Sequence, residues 1–323
     1  MSYYLRKFRK IFPILATIVC LVTTAALSYG QVIEQAVLDS VVQIITPTGT
    51  GTGFLVGIPA DKSKDQEEQV FLVTNKHMLG CWTPLERNMA KFHDSIYLRL
   101  YLMKSDSSGP VIDTPVKLVN PDGSLDTSRV ALNPDLLIDV AVVRLEKQTI
   151  FQPNSAGVVH VQALLRGYFK PFRSLRDGFT DIGNVVFALG YPLGITSLLT
   201  NRAVAKAGYL AAIPGEELAF STPSKTCDGK KDGLVVLRGK LLLVDGLIVP
   251  GNSGGPVLLP AGESFGRDSI TGQFQIRMTK SNRIIGIVSS TLGPSGLSVA
   301  YSSDYIDELI EVLLKRNEAK PGK

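Results

Sequence analysis

Three residues set the chemistry open to this chain: Ser253, His77 and Asp139. Ser253 stands in the string Val249-Pro250-Gly251-Asn252-Ser253-Gly254-Gly255-Pro256-Val257, a glycine-rich turn between two apolar runs. Such a turn brings backbone N–H groups, here those of Gly251 and Ser253, round to one side of the hydroxyl. A nucleophile beside N–H donors suits acyl transfer, because a tetrahedral oxyanion forms next to the attacking oxygen. Taken alone, the string reads equally well as a turn with a solvated serine. A base and an orienting acid elsewhere in the chain decide between the two.

The chain holds three histidines, His77, His93 and His160. His77 follows the strand-like run 69–74 (QVFLVT), where a rigid element can aim a ring across a cleft. His93 lies in a charged stretch and His160 between valines, without a comparable setting. Asp139 interrupts the apolar run 136–143 (LLIDVAVV), which reads as one strand continuing to 145. A carboxylate there is costly unless paired and hydrogen-bonded. An imidazole N–H is one partner; Arg144, Lys147, backbone donors or an edge facing water are the others. Gly251–Gly255 also satisfies G-x-S-x-G, but that nucleophile elbow needs a histidine after the serine, and none follows Ser253. Order in the chain is histidine, aspartate, serine.

The elements that must position these residues are strands. From residue 37 the pattern is short apolar runs broken by Gly, Pro, Asp and Ser. Residues 41–46, 53–58, 70–74, 96–102, 116–119 and 136–145 form a first set. Residues 184–189, 203–212, 234–237, 241–249, 257–259, 284–290 and 297–301 form a second. No regular β-helix-β alternation suggests a parallel sheet, so the signature is an antiparallel barrel or sandwich. Residues 214–233 and 261–282 read as polar insertions. A terminal helix is expected over 304–317, capped by Ser303 or Asp304, with Ile306, Leu309, Ile310 and Leu313 on one face. Residues 49–54 (GTGTGF) fail as a phosphate cradle because strand, not helix, follows; they read as a glycine bulge. Residues 166–176 (RGYFKPFRSLR) read as a connector whose aromatics pack while its cations stay in water, rather than as a nucleic-acid or membrane surface.

Residues 1–30 read as a targeting segment: Arg6, Lys7, Arg9 and Lys10, then an apolar stretch, then small residues Ser28 and Gly30 at a cleavage site. The rival reading is an uncleaved anchor. Removing the segment takes away four cations and no anion, so the formal charge falls from +5 to +1. The basic balance therefore belongs to the leader and gives no support for a nucleic-acid partner. Cys81 and Cys227 remain, and export would permit a disulfide between them. No zinc-ligand spacing occurs, and no metal or organic cofactor is expected.

Several segments, in order, carry a family resemblance: 51–56 (GTGFLV), 73–78 (VTNKHM), 139–145 (DVAVVRL), 188–194 (ALGYPLG), 250–257 (PGNSGGPV), 285–287 (IGI) and 296–306 (GLSVAYSSDYI). Together, over roughly residues 36–316, the chain resembles the trypsin-like (chymotrypsin-fold) serine peptidases, nearest their bacterial HtrA/Deg branch. The resemblance implies an all-β fold of two antiparallel six-stranded β-barrels with a C-terminal α-helix. It divides the chain into 1–30, a first barrel 31–150, a connector 151–183, a second barrel 184–303, the helix 304–317 and a tail 318–323. It implies catalysis by His77, Asp139 and Ser253, with the N–H groups of Gly251 and Ser253 as oxyanion hole. Asn252, between them, is read as a turn former. Leu247, Ile248, Val288, Ser289 and Ser290 should border the pocket for the substrate residue before the scissile bond, favouring an apolar side chain. Asp245, if nearby, would favour a cation instead. The partners expected are polypeptides in the periplasm or outside the cell, without nucleic acid, with a membrane only if the N-terminal segment is retained, and with oligomerisation left open. The PDZ domain common in that branch is not expected after the helix. A catalytically latent peptide-binding protein on the same fold is the alternative.

Overall fold

The computed structural model describes residues 32–59, 68–82, 91–103, 111–146, 158–159, 162–175, 180–196, 202–213, 218–225, 231–246, 248–267, 271, 273–292 and 295–318. The expected leader, Leu247, Cys227, His160 and the last five residues lie outside them. Short β-branched and apolar runs become antiparallel strands almost throughout. In the C-terminal half, Val185–Gly190, Val204–Ala212, Leu241–Asp245, Leu297–Ser302, Arg283–Thr291 and Pro256–Leu259 pair in that order and close into a six-stranded barrel.

The N-terminal half supplies the other barrel of the expected two-barrel fold, as a half-barrel sheet. Its nine-stranded sheet has Val41–Thr46, Gly49–Ile58, Gln69–Thr74 and Ala141–Leu145 at its centre, and its ladder does not close among the described residues. Between Val111–Lys117 and Val130–Leu132 the backbone pairs across a turn, Asn120 N–H to the Ser124 carbonyl and Asp126 N–H to the Leu118 carbonyl, with an isolated bridge from Val119 to Leu125. Asp122 and Asp126 side chains accept the N–H groups of Ser124 and Ser128 within it.

Gly49–Ile58 pairs with Val41–Thr46 in unbroken register, so the expected glycine bulge is absent. Gly51 and Gly53 instead permit close approach: a Cβ on Gly51 would meet the Met78 side chain, and one on Gly53 the Val73 carbonyl. The polar insertions are also more ordered than expected, each holding a two-stranded hairpin, Leu218–Lys225 with Lys231–Leu237 and Gly262–Arg267 with Phe274–Thr279. In the connector, Tyr168, Phe169 and Phe172 pack against the core as expected. Arg166, however, pairs with Asp307 and Glu311 of the terminal helix.

Strand alternation sends one set of side chains into the first sheet's own core (Ile44, Leu55, Leu72, Leu98) and another into the second barrel (Val186, Leu210, Leu242, Val257). A third cluster joins the halves. Phe54, Val73 and Val142 from the sheet meet Leu241, Ile287 and Tyr301 from the barrel, under Ile306, Ile310 and Leu313 of the helix Ser303–Glu318. The helix start differs from expectation: Ser302, one residue earlier, accepts the Asp304 N–H, while Asp304 pairs with Lys240. At the other end of the chain, Glu34 and Asn282 exchange hydrogen bonds and tie the N-terminal segment to the second barrel.

Candidate active site

His77 lies in a single 3-10 turn, Lys76–Met78, directly after the strand Gln69–Thr74. Asp139 lies in a loop ending at the strand Ala141–Leu145, not inside a strand as its apolar neighbours suggested. The loop is fixed by side-chain donors rather than a ladder. Lys76 Nζ donates to the Asp135 carbonyl (2.7 Å), Trp82 Nε1 to that of Leu136 (2.9 Å), Tyr301 OH to that of Leu137 (2.7 Å) and Asn75 Nδ2 to that of Asp139 (2.6 Å). Backbone polar groups are thus paired in a stretch with no strand partner.

The Asp139 carboxylate is 1% exposed. Its Oδ2 lies 2.7 Å from His77 Nδ1 and accepts the Ser289 hydroxyl at 2.9 Å; its Oδ1 accepts the His77 N–H at 3.2 Å. The His77 side chain is 29% exposed and near-parallel to the Trp82 ring. Burial pulls the imidazole pKa down, but the charge and hydrogen bond of Asp139 outweigh it, and the net direction is upward from 6.5.

Ser253 follows a turn in which three glycines are sterically required. A Cβ on Gly251, Gly254 or Gly255 would stand 2.2, 2.0 and 1.9 Å from the carbonyl oxygens of Tyr191, Thr52 and Leu189, and the first two glycines have φ of +98° and +87°. The N–H groups of Gly251 and Ser253 donate to nothing among the described residues, as an oxyanion site requires. Thr52, from the first sheet, holds the turn: its Oγ1 donates to the Gly251 carbonyl (2.6 Å) and accepts the Tyr191 N–H (3.1 Å), and its own N–H donates to the Ser253 carbonyl (2.9 Å). The Ser253 hydroxyl donates to the Ser289 carbonyl at 3.1 Å and makes no hydrogen bond to the His77 ring.

A cavity of about 350 Å³ is lined by His77, Asp139 and Ser253 together with Trp82, Leu237, Ile248, Val288 and Tyr301. A comparison of the sequence with protein-family models matches residues 51–266 to the trypsin-like peptidase domain. The chain belongs to the trypsin-like peptidases. A comparison with curated proteins finds no match. Among solved structures, the chain is similar to the Rv3671c protease of M. tuberculosis in its inactive form (15% identity, 86% of this chain and 90% of that one, TM-score 0.43). Others are the serine endoprotease from Yersinia pestis (15%, 87% and 65%, 0.43) and an HtrA-type protease, AlgW, with a decapeptide (16%, 88% and 66%, 0.42).

In this trypsin-like peptidase the expected site residues His77, Asp139, Ser253, Ile248, Val288, Ser289 and Ser290 all line one cavity. Leu247 lies outside the described residues. Asp245 is exposed at the end of its strand and is not among the lining residues. Sequence reasoning missed Thr52, read only as part of a glycine string, and the four donors on the Asp139 loop. The signal for one of them was present: a lysine, Lys76, directly beside the histidine in a run otherwise leading out of a buried strand. Cys81 is disulfide-bonded; the other two cysteines of the chain, Cys20 and Cys227, lie outside the described residues.

Proposed function

We propose that this chain is an exported serine endopeptidase that hydrolyses peptide bonds in unfolded or exposed polypeptide segments through His77, Asp139 and Ser253. The observation that carries the reading is the 2.7 Å bond from Asp139 Oδ2 to His77 Nδ1 at the wall of the cavity that holds Ser253. With Nδ1 committed to Asp139, the other ring nitrogen of His77 is left as the base. Ser253 turns from the Ser289 carbonyl, gives its proton to His77 and attacks the scissile carbonyl. The oxyanion is held by the Gly251 and Ser253 N–H groups. His77 then protonates the departing amine, and an acyl-enzyme remains. Water enters, loses a proton to His77, and releases the acid and Ser253.

Ile248, Val288 and Leu237 make an apolar cavity wall, suited to an apolar residue before the scissile bond. Val288 bonds to Gly254 and Gly255, and beyond it the strand Arg283–Thr291 has no partner strand on its Pro256–Leu259 side among the described residues. An extended peptide paired there would gain affinity from backbone bonds alone, which suits substrates that are locally unfolded. The periplasm or the extracellular space is the proposed site of action, from the basic and apolar N-terminal segment.

The test is fluorophosphonate labelling of residues 31–323 beside Ser253→Ala and His77→Ala. Labelling abolished by both substitutions is expected. Labelling that survives Ser253→Ala overturns the assignment. One feature favours a second reading, a latent peptide-binding protein: the resting Ser253 hydroxyl is bonded to Ser289 and not to His77. A folded parent that is never labelled, with or without added peptides, decides for that reading.

A further inference from the structure

Lys76 is a buried cation that the steps above leave unused. The residue is 1% exposed, and its Nζ donates to the Asp135 carbonyl, with no carboxylate at ion-pair distance among the described residues. Burying an ammonium against a neutral acceptor is costly, and a methionine of similar length would fill the same space without a charge. The cost is visible in the titration of the group: burial pulls the lysine pKa down to about 8, against the attraction of Asp139 and then Asp135. Those two carboxylates are on the loop that carries the acid of the proposed triad. Lys76 is also the direct neighbour of His77 in the 3-10 turn.

We propose that Lys76 is a positioning residue for the His77–Asp139 pair: its ammonium fastens the Asp139 loop through the Asp135 carbonyl and supplies a buried positive charge that attracts the Asp139 carboxylate and opposes a second positive charge on His77. The inference rests on the catalytic reading above. The charged and titratable groups around the loop are accounted for. Asp135 is itself engaged by Arg238 (2.9 and 3.3 Å), so its carboxylate is already balanced. Tyr301 and Tyr305 behind the loop are pushed up by burial and stay neutral. Asp139 is hydrogen-bonded to His77 and attracts the Lys76 ammonium, and a cation beside an imidazole disfavours the imidazolium.

The experiment compares the parent, Lys76→Met and Lys76→Arg. His77 is titrated by NMR in the Ser253→Ala background, a readout that needs no turnover. The expected result is an upward shift of the His77 pKa in Lys76→Met and its reversal in Lys76→Arg. In the active background, Lys76→Met should lower kcat roughly 10- to 100-fold with KM little changed, through misplacement of the acid and base, and Lys76→Arg should recover most of it. A folded Lys76→Met whose His77 titrates as in the parent overturns the proposal, whatever its rate. Failure of the catalytic reading shows separately, as absence of fluorophosphonate labelling in the parent.

Discussion

Ser289 serves both ends of the site: its hydroxyl donates to Asp139 Oδ2 at 2.9 Å, and its carbonyl accepts the Ser253 hydroxyl at 3.1 Å. The two functions are separable, because substitution removes the hydroxyl and leaves the carbonyl. A hydrogen bond to a charged group is worth about 1.5–3 kcal/mol. Ser289→Ala should therefore lower kcat/KM about 10- to 100-fold while leaving fluorophosphonate access to Ser253 intact, as peptide-amide kinetics and labelling rates would show. Unchanged kcat/KM would mean that Asp139 is held sufficiently by His77 and its loop alone.

Activity and stability should respond oppositely to pH through His77. The general base must be neutral, so kcat/KM should fall as pH drops through a His77 pKa above 6.5. Asp139→Asn should move that limb downward as well as lowering the plateau. The linkage sign is reversed: a raised pKa contributes stability that is fully present below 6.5 and lost as pH rises through the folded-state value. Melting temperatures of the parent and His77→Gln should differ more at pH 5.5 than at pH 8.5. A difference that grows with pH would refute the assignment of the shift to Asp139.

Thr52→Val keeps volume and deletes one oxygen. It leaves the buried Gly251 carbonyl without its Thr52 donor, at about 1–3 kcal/mol. The Gly251 N–H should then lose its aim, with kcat falling by about 10²–10³, the range for loss of one oxyanion donor. Thermal unfolding and burst kinetics on an ester substrate separate the two effects.

Gly255→Ala should damage the serine turn through clash alone, because Gly255 has no left-handed φ. Its Cβ would meet the Leu189 backbone oxygen at 1.9 Å, which no side-chain rotation relieves. Destabilisation of at least about 2 kcal/mol is expected from the forced backbone shift. Urea unfolding measures it, and a variant within about 0.5 kcal/mol of the parent would show that the turn is softer than its geometry implies.

Parts of the candidate site stood out in the sequence, although each on its own left a local alternative open. The glycines around Ser253 are there for want of space, and a string of them beside one serine is conspicuous. Asp139 was conspicuous for the opposite reason, a charge among apolar residues. The same apolar run hid its conformation: residues 136–140 look like strand, yet the carbonyls of 135, 136, 137 and 139 are taken by Lys76, Trp82, Tyr301 and Asn75, donors brought in by folding from positions 75 to 301. Periodicity reports which face is buried and is silent on who satisfies the backbone. Thr52 was hidden likewise, and Ser289 was expected only at the border of the pocket, since a hydroxyl acquires its bond only from the partner across the cleft. The barrels follow from the evenly spaced strand runs.

The apolar cluster that joins Phe54 and Val142 to Leu241, Tyr301 and the terminal helix gives the cleft a solid floor. Prying the two halves apart would bring that floor into water. Heat should therefore melt them together, in one transition. On the reading proposed above, a substrate is a thread laid along an edge of the cleft, and a folded domain with no loose end or loop would find nowhere to lie.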